Sequence, residues 1–158
     1  MGLEIERKFL IANDKWHQTV DRSVTIRQGY FETSRAATIR IRTYDDDACI
    51  TIKSPAKEDG ITRDEYEYPI PISEANHMLD SLCQQPIIEK IRSYVTVDGH
   101  LWEIDEFKGD NAGLVIAEIE LHDAAERFEK PDWLGVEVTH DERYINACLI
   151  KNPYKEWR

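Results

Sequence analysis

Leu3-Glu4-Ile5-Glu6-Arg7-Lys8-Phe9-Leu10-Ile11 is the stretch that decides how the rest of this chain folds. Side chains two apart on an extended strand share a face. Leu3, Ile5 and Phe9 therefore lie on one face, and Glu4, Glu6 and Lys8 on the other. The same sorting recurs down the chain. Arg40 and Arg42 oppose Ile39 and Ile41, Lys53 opposes Ile50 and Ile52, and Glu65 and Glu67 oppose Tyr66 and Tyr68. Further on, Lys90 and Arg92 oppose Ile91, Glu103 and Asp105 oppose Trp102 and Ile104, and Glu118 and Glu120 oppose Ala117, Ile119 and Leu121.

Period-2 alternation of this kind predicts strands near 3–11, 24–32, 36–44, 48–54, 62–71, 88–97, 100–108 and 113–122. Turn-forming residues separate them, and Asp98-Gly99 between two alternating runs is a hairpin signal. Helices are expected at about 73–83, 123–130 and 140–150. Ser73 can cap the first, while Asp123 with Glu126 and Thr139 with Glu142 resemble capping boxes for the others. The expected fold is a β-rich α+β domain spanning residues 1–158, mostly antiparallel, with a few helices outside it, one of them C-terminal.

A sheet with one wet face accounts for the alternation by itself. A solvated face normally intersperses signs, however, because like charges as near neighbours repel. Here six strands carry a like-charged i, i+2 pair: Glu4/Glu6, Arg40/Arg42, Glu65/Glu67, Lys90/Arg92, Glu103/Asp105 and Glu118/Glu120. Eight strands can instead close into a barrel whose interior holds side chains or one small ligand. Turned inward, the charged face would bring together the cations Lys8, Arg40, Arg42, Lys53, Lys90 and Arg92 with the acids Glu4, Glu6, Glu65, Glu67, Glu103, Asp105, Glu118 and Glu120. Cations suit phosphate oxygens, and carboxylates suit hard divalent metals. Both together suit a polyphosphate carried with Mg²⁺ or Mn²⁺. A triphosphate brings roughly four to five negative charges near neutral pH, so the acids and the ligand together need divalent ions besides the protein's own cations.

Composition narrows the remaining classes. At 41% hydrophobic and 32% charged, 158 residues make one globular domain. The net charge of −11 argues against a nucleic-acid partner. No apolar run approaches the roughly 18 residues that cross a bilayer, and the charged N-terminus is unlike a secretory signal. Cys49, Cys83 and Cys148 fall in no metal or redox spacing and read as ordinary buried thiols of a reducing compartment, which points to the cytoplasm. Three helices leave much of an eight-stranded wall uncovered, and a homodimer is one way to cover it.

Glu4-x-Glu6-x-Lys8 near the N-terminus resembles the ExExK signature of the CYTH superfamily, the triphosphate tunnel metalloenzymes. Arg-x-Arg at 40 and 42, the Lys53 strand, Glu-x-Glu at 65 and 67, Lys-x-Arg at 90 and 92, Asp105, and Glu-x-Glu at 118 and 120 follow in the family's order. The segment from Glu137 to Asn146 resembles the family's C-terminal helix. The resemblance implies an eight-stranded antiparallel tunnel that binds a small triphosphate with Mg²⁺ or Mn²⁺ and hydrolyses it through metal-activated water. Short members with an Arg-Gln-Gly-Tyr strand, as at 27–30 here, look most like inorganic tripolyphosphatases. Class IV adenylate cyclases, nucleoside or thiamine triphosphatases and a non-catalytic polyphosphate-binding module are the alternatives. Family cyclases carry a His-Phe pair ahead of ExExK, where this chain has Met1, Gly2 and Leu3.

By the same resemblance Glu118 and Glu120 are metal ligands, assisted by Glu4, Glu6 and Asp105 directly or through water, with Glu67 either a further ligand or a counter-charge to the Arg/Lys wall. Lys8, Arg40, Arg42, Lys53, Lys90 and Arg92 would grip phosphate, and Arg143 would reach it from the C-terminal helix. Lys8 and Tyr30 would be catalytic, with Lys8 made less basic by neighbouring cations.

Overall fold

The computed structural model describes residues 2–34 and 36–157. The strands are β1 (Gly2–Ile11), β2 (Arg22–Tyr30), β3 (Thr38–Tyr44), β4 (Asp47–Lys53), β5 (Thr62–Pro69), β6 (Ile88–Val97), β7 (His100–Phe107) and β8 (Val115–Glu120). They run in the order β5-β4-β3-β2-β6-β7-β8-β1, every pair antiparallel. Pairing of Gly2–Ile5 with Thr62–Glu65 closes the ring into a barrel. The Asp98-Gly99 hairpin forms as its residues predict, with φ of 48° and 77°, the positive values a two-residue turn needs to match strand twist.

Outward-facing apolar residues make the core. Phe9, Trp102, Ile104, Ala117 and Ile119 pack beneath Trp16, Leu121 and Trp133, with Phe128 against them. On another side, Ala75 and Leu79 of α1 (Ile72–Ser81) cover Ile41 and Ala48. Gly29 is required there, since a Cβ at that position would stand 2.8 Å from Cys83 Cβ.

The barrel interior is not charged along its whole length. Leu10, Ile116, Phe107 and Ile88 share strand parity with the inward charges but belong to an apolar cluster with Tyr144, Leu149 and Ile150. The C-terminal segment packs into this apolar end.

Three departures from the sequence reading have local causes. The expected helix at 123–130 is a turn. Its box-like start does form, with Ala125 N–H donating to Asp123 Oδ1 at 2.8 Å. Glu126, however, is tied to His122 N–H and His100 at 2.6 and 2.8 Å, and Phe128 is drawn onto Phe9 and Trp102. The helix expected at 140–150 breaks at Ile145, whose ψ of 125° is extended. What remains is a 3-10 turn at Glu142–Tyr144, capped by Asp141, and the short α2 (Asn146–Leu149). Thr139, expected to cap it, instead accepts from Lys8 N–H at 3.0 Å. Finally, β9 (Leu134–Glu137) pairs with Phe9 and Ile11 outside the ring. A Cβ at Gly135 would meet the Leu10 carbonyl oxygen at 2.8 Å, so glycine alone permits that approach.

Candidate active site

Barrel closure turns the even-numbered charges of β1, β3, β6 and β8 and the odd-numbered ones of β4, β5 and β7 toward a cavity of about 630 Å³. Glu4, Glu6, Lys8, Tyr30, Arg40, Arg42, Lys53, Glu67, Lys90, Arg92, Glu118 and Glu120 all line it. The sequence thus places its candidate residues on one surface, with two exceptions described below.

The lining divides by strand order. Adjacent strands β3, β2 and β6 carry Arg40, Arg42, Lys90 and Arg92, a cationic arc. Adjacent strands β7, β8 and β1 carry Glu103, Glu118, Glu120, Glu4 and Glu6, an acidic arc. Strands β4 and β5 join the two with Lys53, Arg63, Glu65 and Glu67.

Within the cationic arc, two residues are neutralised and two are not. Asp105 has no exposed surface, holds Arg92 through two hydrogen bonds of 2.8 and 2.9 Å, and meets Lys90 Nζ at 2.7 Å. Burial alone would raise its carboxyl; Arg92 and Lys90 overcome this and hold it far below the usual carboxylate range. Burial leaves Lys90 less basic than a free lysine despite Asp105, with Arg92 and Arg42 adding to the effect. Arg92 also bonds Glu103. Arg40 and Arg42, by contrast, have no carboxylate within 4.0 Å among the described residues. Arg42 donates to the neutral groups Gln28 Oε1 and Tyr44 Oη, and Arg40 donates to Thr51 Oγ1 at 3.2 Å. Arg40 Nε is buried with no hydrogen-bond partner among the described residues. An orphaned donor on a buried cation is costly, and an anionic ligand in the cavity would satisfy it.

The acidic arc shows the opposite imbalance. Glu120 is pushed up to about 7 by burial and by Glu4, Glu65, Glu6 and Glu103 around it. No cation lies within 4.0 Å of it among the described residues. Lys8 sits here rather than among cations, 3.7 Å from Glu118 and 3.9 Å from Glu6. Burial works to lower its pKa, but Glu118 and Glu6 outweigh that and keep it above the ordinary lysine value. The sequence expectation of a lysine made less basic by cations is therefore overturned, and Lys8 is a fixed positive charge. Its backbone is held by Thr139 Oγ1 and by the Val138 N–H, which donates to Lys8 O at 2.8 Å.

Two predicted site residues lie elsewhere. Arg143 is half-exposed, pairs with Asp141 at 2.6 Å, and does not line the cavity. The break at Ile145 separates its turn from α2, and Asn146 takes the inward position instead. Asp105 faces the barrel interior but does not line the cavity; both its oxygens are spent on Arg92 and Lys90, so it is a buried counter-ion rather than an open ligand. Glu67 lines the cavity, but its Oε1 accepts from Thr51 and from the Cys49 thiol, each at 3.1 Å. Lys53 is gripped by Glu4 at 2.7 Å and Glu65 at 3.5 Å.

The sequence reading missed Gln28, Asn146, Arg63 and Tyr44. Strand parity could have found three of them: Gln28 is two before Tyr30, Arg63 two before Glu65, and Tyr44 two after Arg42. Asn146 has no such signal, because an irregular segment delivers it.

The acids around Lys8 fit a hard cation. Glu6, Glu118 and Glu120 are oxygen donors in a cluster short of positive charge, as the raised Glu120 carboxyl shows. Among the described residues no three acidic, histidine or cysteine side chains make a ready-made cage. An ion here needs oxygens from water or a phosphate to complete its shell, a preference of Mg²⁺ in particular.

Known proteins resemble this chain in sequence and fold. Residues 2–147 match the CYTH domain. An inorganic triphosphatase of Acetivibrio thermocellus is 48% identical over 158 residues, covering 100% of this chain and 99% of its own. An inorganic triphosphatase of Nitrosomonas europaea is 38% identical over 153 residues, covering 92% and 95%. A crystal structure of an inorganic triphosphatase superimposes with a TM-score of 0.65 at 35% identity, covering 95% of each chain. With its closed antiparallel barrel and inward charges, this chain belongs to the CYTH family.

Proposed function

We propose that the protein is a divalent-metal-dependent triphosphatase that hydrolyses inorganic tripolyphosphate to pyrophosphate and phosphate in the cytoplasm. The observation that carries this reading is the pairing of two unmet demands in one cavity. Among the described residues, Arg40 and Arg42 are buried guanidiniums with no carboxylate within 4.0 Å, Glu67 acting on them only from farther off, and Glu120 is a crowded carboxyl with no cation within 4.0 Å. A polyphosphate chain answers the first and a divalent ion the second. The full-length likeness to two inorganic triphosphatases supports the inorganic substrate.

The chain's own residues divide the work. Arg40 and Arg42 offer planar donor forks to the terminal phosphoryl oxygens, and Arg92 and Lys90 stand beside them on β6, across β2. In phosphoryl transfer, positioning and electrostatic stabilisation are the protein's main contributions. Glu118, Glu120 and Glu6, with Glu4, would hold Mg²⁺ or Mn²⁺. When bound, such an ion polarises phosphoryl oxygens and makes water a better nucleophile. Lys8, kept charged between Glu6 and Glu118, orients those carboxylates and offers a positive charge to the leaving or attacking oxygen. The free thiols Cys49, Cys83 and Cys148 fit a reducing compartment, and no helix among the described residues is long and apolar enough to cross a membrane.

The test is phosphate release from tripolyphosphate, ATP and thiamine triphosphate, each with Mg²⁺, Mn²⁺ or EDTA, with Glu118→Ala beside the wild type. Metal-dependent release that prefers tripolyphosphate and disappears in Glu118→Ala is expected. Cyclic AMP from ATP, or tight tripolyphosphate binding with no release, would overturn the reading.

A further inference from the structure

Two neutral amides hold the cationic arc together. Asn146 Oδ1 accepts from Lys90 Nζ at 2.8 Å and from Gln28 Nε2 at 3.0 Å. Gln28 Oε1 accepts from Arg42 Nε at 2.9 Å, and its Nε2 also donates to the Tyr30 hydroxyl at 2.8 Å. Gln28 has no exposed surface, and Asn146 is buried. The four bonds tie β2, β3 and β6 to α2.

The direction of each bond is forced. Arginine and lysine only donate, so Arg42 requires the Gln28 oxygen and Lys90 requires the Asn146 oxygen. Rotating either amide by 180° would set a donor against a buried cation. With its oxygen committed to Arg42, Gln28 has only N–H to offer Tyr30. The phenol oxygen is thus an acceptor inside the wall. Its own hydrogen meets no acceptor among the described residues, and Tyr30 lines the cavity. The hydrogen is left for a ligand.

We propose that Gln28 and Asn146 are positioning residues that fix Tyr30 as a hydrogen-bond donor to the phosphate chain, beside Arg42 and Lys90. This inference rests on the triphosphatase reading and deepens it. The C-terminal segment takes part in substrate binding through Asn146 rather than through Arg143. Tyr30 gives a hydrogen bond to the ligand.

Gln28→Glu tests the direction of the bond. The introduced carboxylate accepts from Arg42 as the amide does, but it also accepts from Tyr30, turning the phenol hydrogen away from the cavity. Tripolyphosphate hydrolysis is measured in a cycle of wild type, Gln28→Glu, Tyr30→Phe and the double variant, with Tm as the control for folding. Each single variant is expected to lose about 10–100-fold in kcat, the worth of one hydrogen bond to a charged group. The double variant is expected to fall within about twofold of the worse single, because both remove the same donor. The added negative charge appears separately, as a raised KM. Asn146→Leu, which frees Gln28 and Lys90, replaces Gln28→Glu in the cycle if that variant does not fold. Losses that multiply in the double variant, or an unchanged kcat in either single, would overturn the inference alone. A wild type that neither binds nor hydrolyses tripolyphosphate would overturn the triphosphatase reading beneath it.

Discussion

Asp105 and Glu120 are carboxylates on neighbouring strands of one barrel, and their fates are opposite. Asp105, on β7, stands between Arg92 and Lys90 and is held far below the usual carboxylate range. Glu120, on β8, stands among Glu4, Glu65, Glu6 and Glu103 and is pushed up to about 7. Both suffer burial, which raises a carboxyl in each case. The neighbours decide the sign. The cationic arc therefore contains a finished part, Lys90 and Arg92 with their buried counter-ion, and an unfinished part, Arg40 and Arg42. The acidic arc is unfinished around Glu120. The unfinished parts of the two arcs face one cavity, and that is where ligand and ion are expected.

This contrast can be broken in four ways, in decreasing order of expected effect. Removing an unpaired cation should damage turnover most. Arg40→Ala is expected to lower kcat on tripolyphosphate by about 10²–10³-fold, the size seen when one preorganised charge-stabilising donor is lost. Steady-state phosphate release measures it, and a loss under threefold would place the phosphate elsewhere. Next, Asp105→Asn leaves Lys90 and Arg92 buried and undercompensated. Breaking such a buried arrangement costs about 3–5 kcal/mol, so Tm is expected to fall by about 10 °C in a thermal melt. A change of under 2 °C would show that Asp105 is not the counter-ion that finishes that part of the wall.

Glu120 is expected to give a smaller effect that depends on pH. Its folded-state carboxyl, at about 7, stands above the ordinary 4.5. Between those values the folded protein keeps a proton that the unfolded chain releases, so this group lowers stability as pH rises through the window. In EDTA, Glu120→Gln should melt near the wild type at pH 4.5 and above it at pH 8. A Tm difference that stayed constant from pH 4.5 to 8 would mean the acidic arc is not strained. Last, Arg143→Ala should leave kcat and KM within twofold of the wild type, since its guanidinium is engaged by Asp141 away from the cavity. A tenfold rise in KM would bring Arg143 back into the site.

Much of this site can be read from the chain without coordinates. Alternation in Leu3–Ile11 and its repeats assigns inward and outward faces correctly for Glu4, Arg40, Lys90 and Glu118, because the pleat makes side-chain direction a local property. It also explains why Trp102 faces outward, where Trp16 and Trp133 cover it. The argument from repelling like-charged pairs holds only in part. Other strands answer several of them directly: Lys53 reaches Glu4 across β5, and Arg92 pairs with Asp105 and Glu103 on the adjacent β7. Alternation cannot see those partners, since they come from distant sequence brought opposite by register.

The sequence by itself determined that this chain makes eight alternating strands with their charges on one face, and its resemblance to the CYTH superfamily implied that the charged face turns inward. Period-2 patterning, Asp98-Gly99 and the ordered pairs of charges carry that information locally. Tertiary structure alone decided which charges are left without partners. It neutralised Lys90 through Asp105, left Arg40 and Arg42 open, moved Lys8 among carboxylates, and replaced Arg143 with Asn146 at the break after Ile145. It also added β9, through the close approach at Gly135. The physical reason is one of range. A strand's own geometry sets where each side chain points. The charge that a buried group keeps depends on every neighbour within a few ångströms, and barrel closure chooses those neighbours.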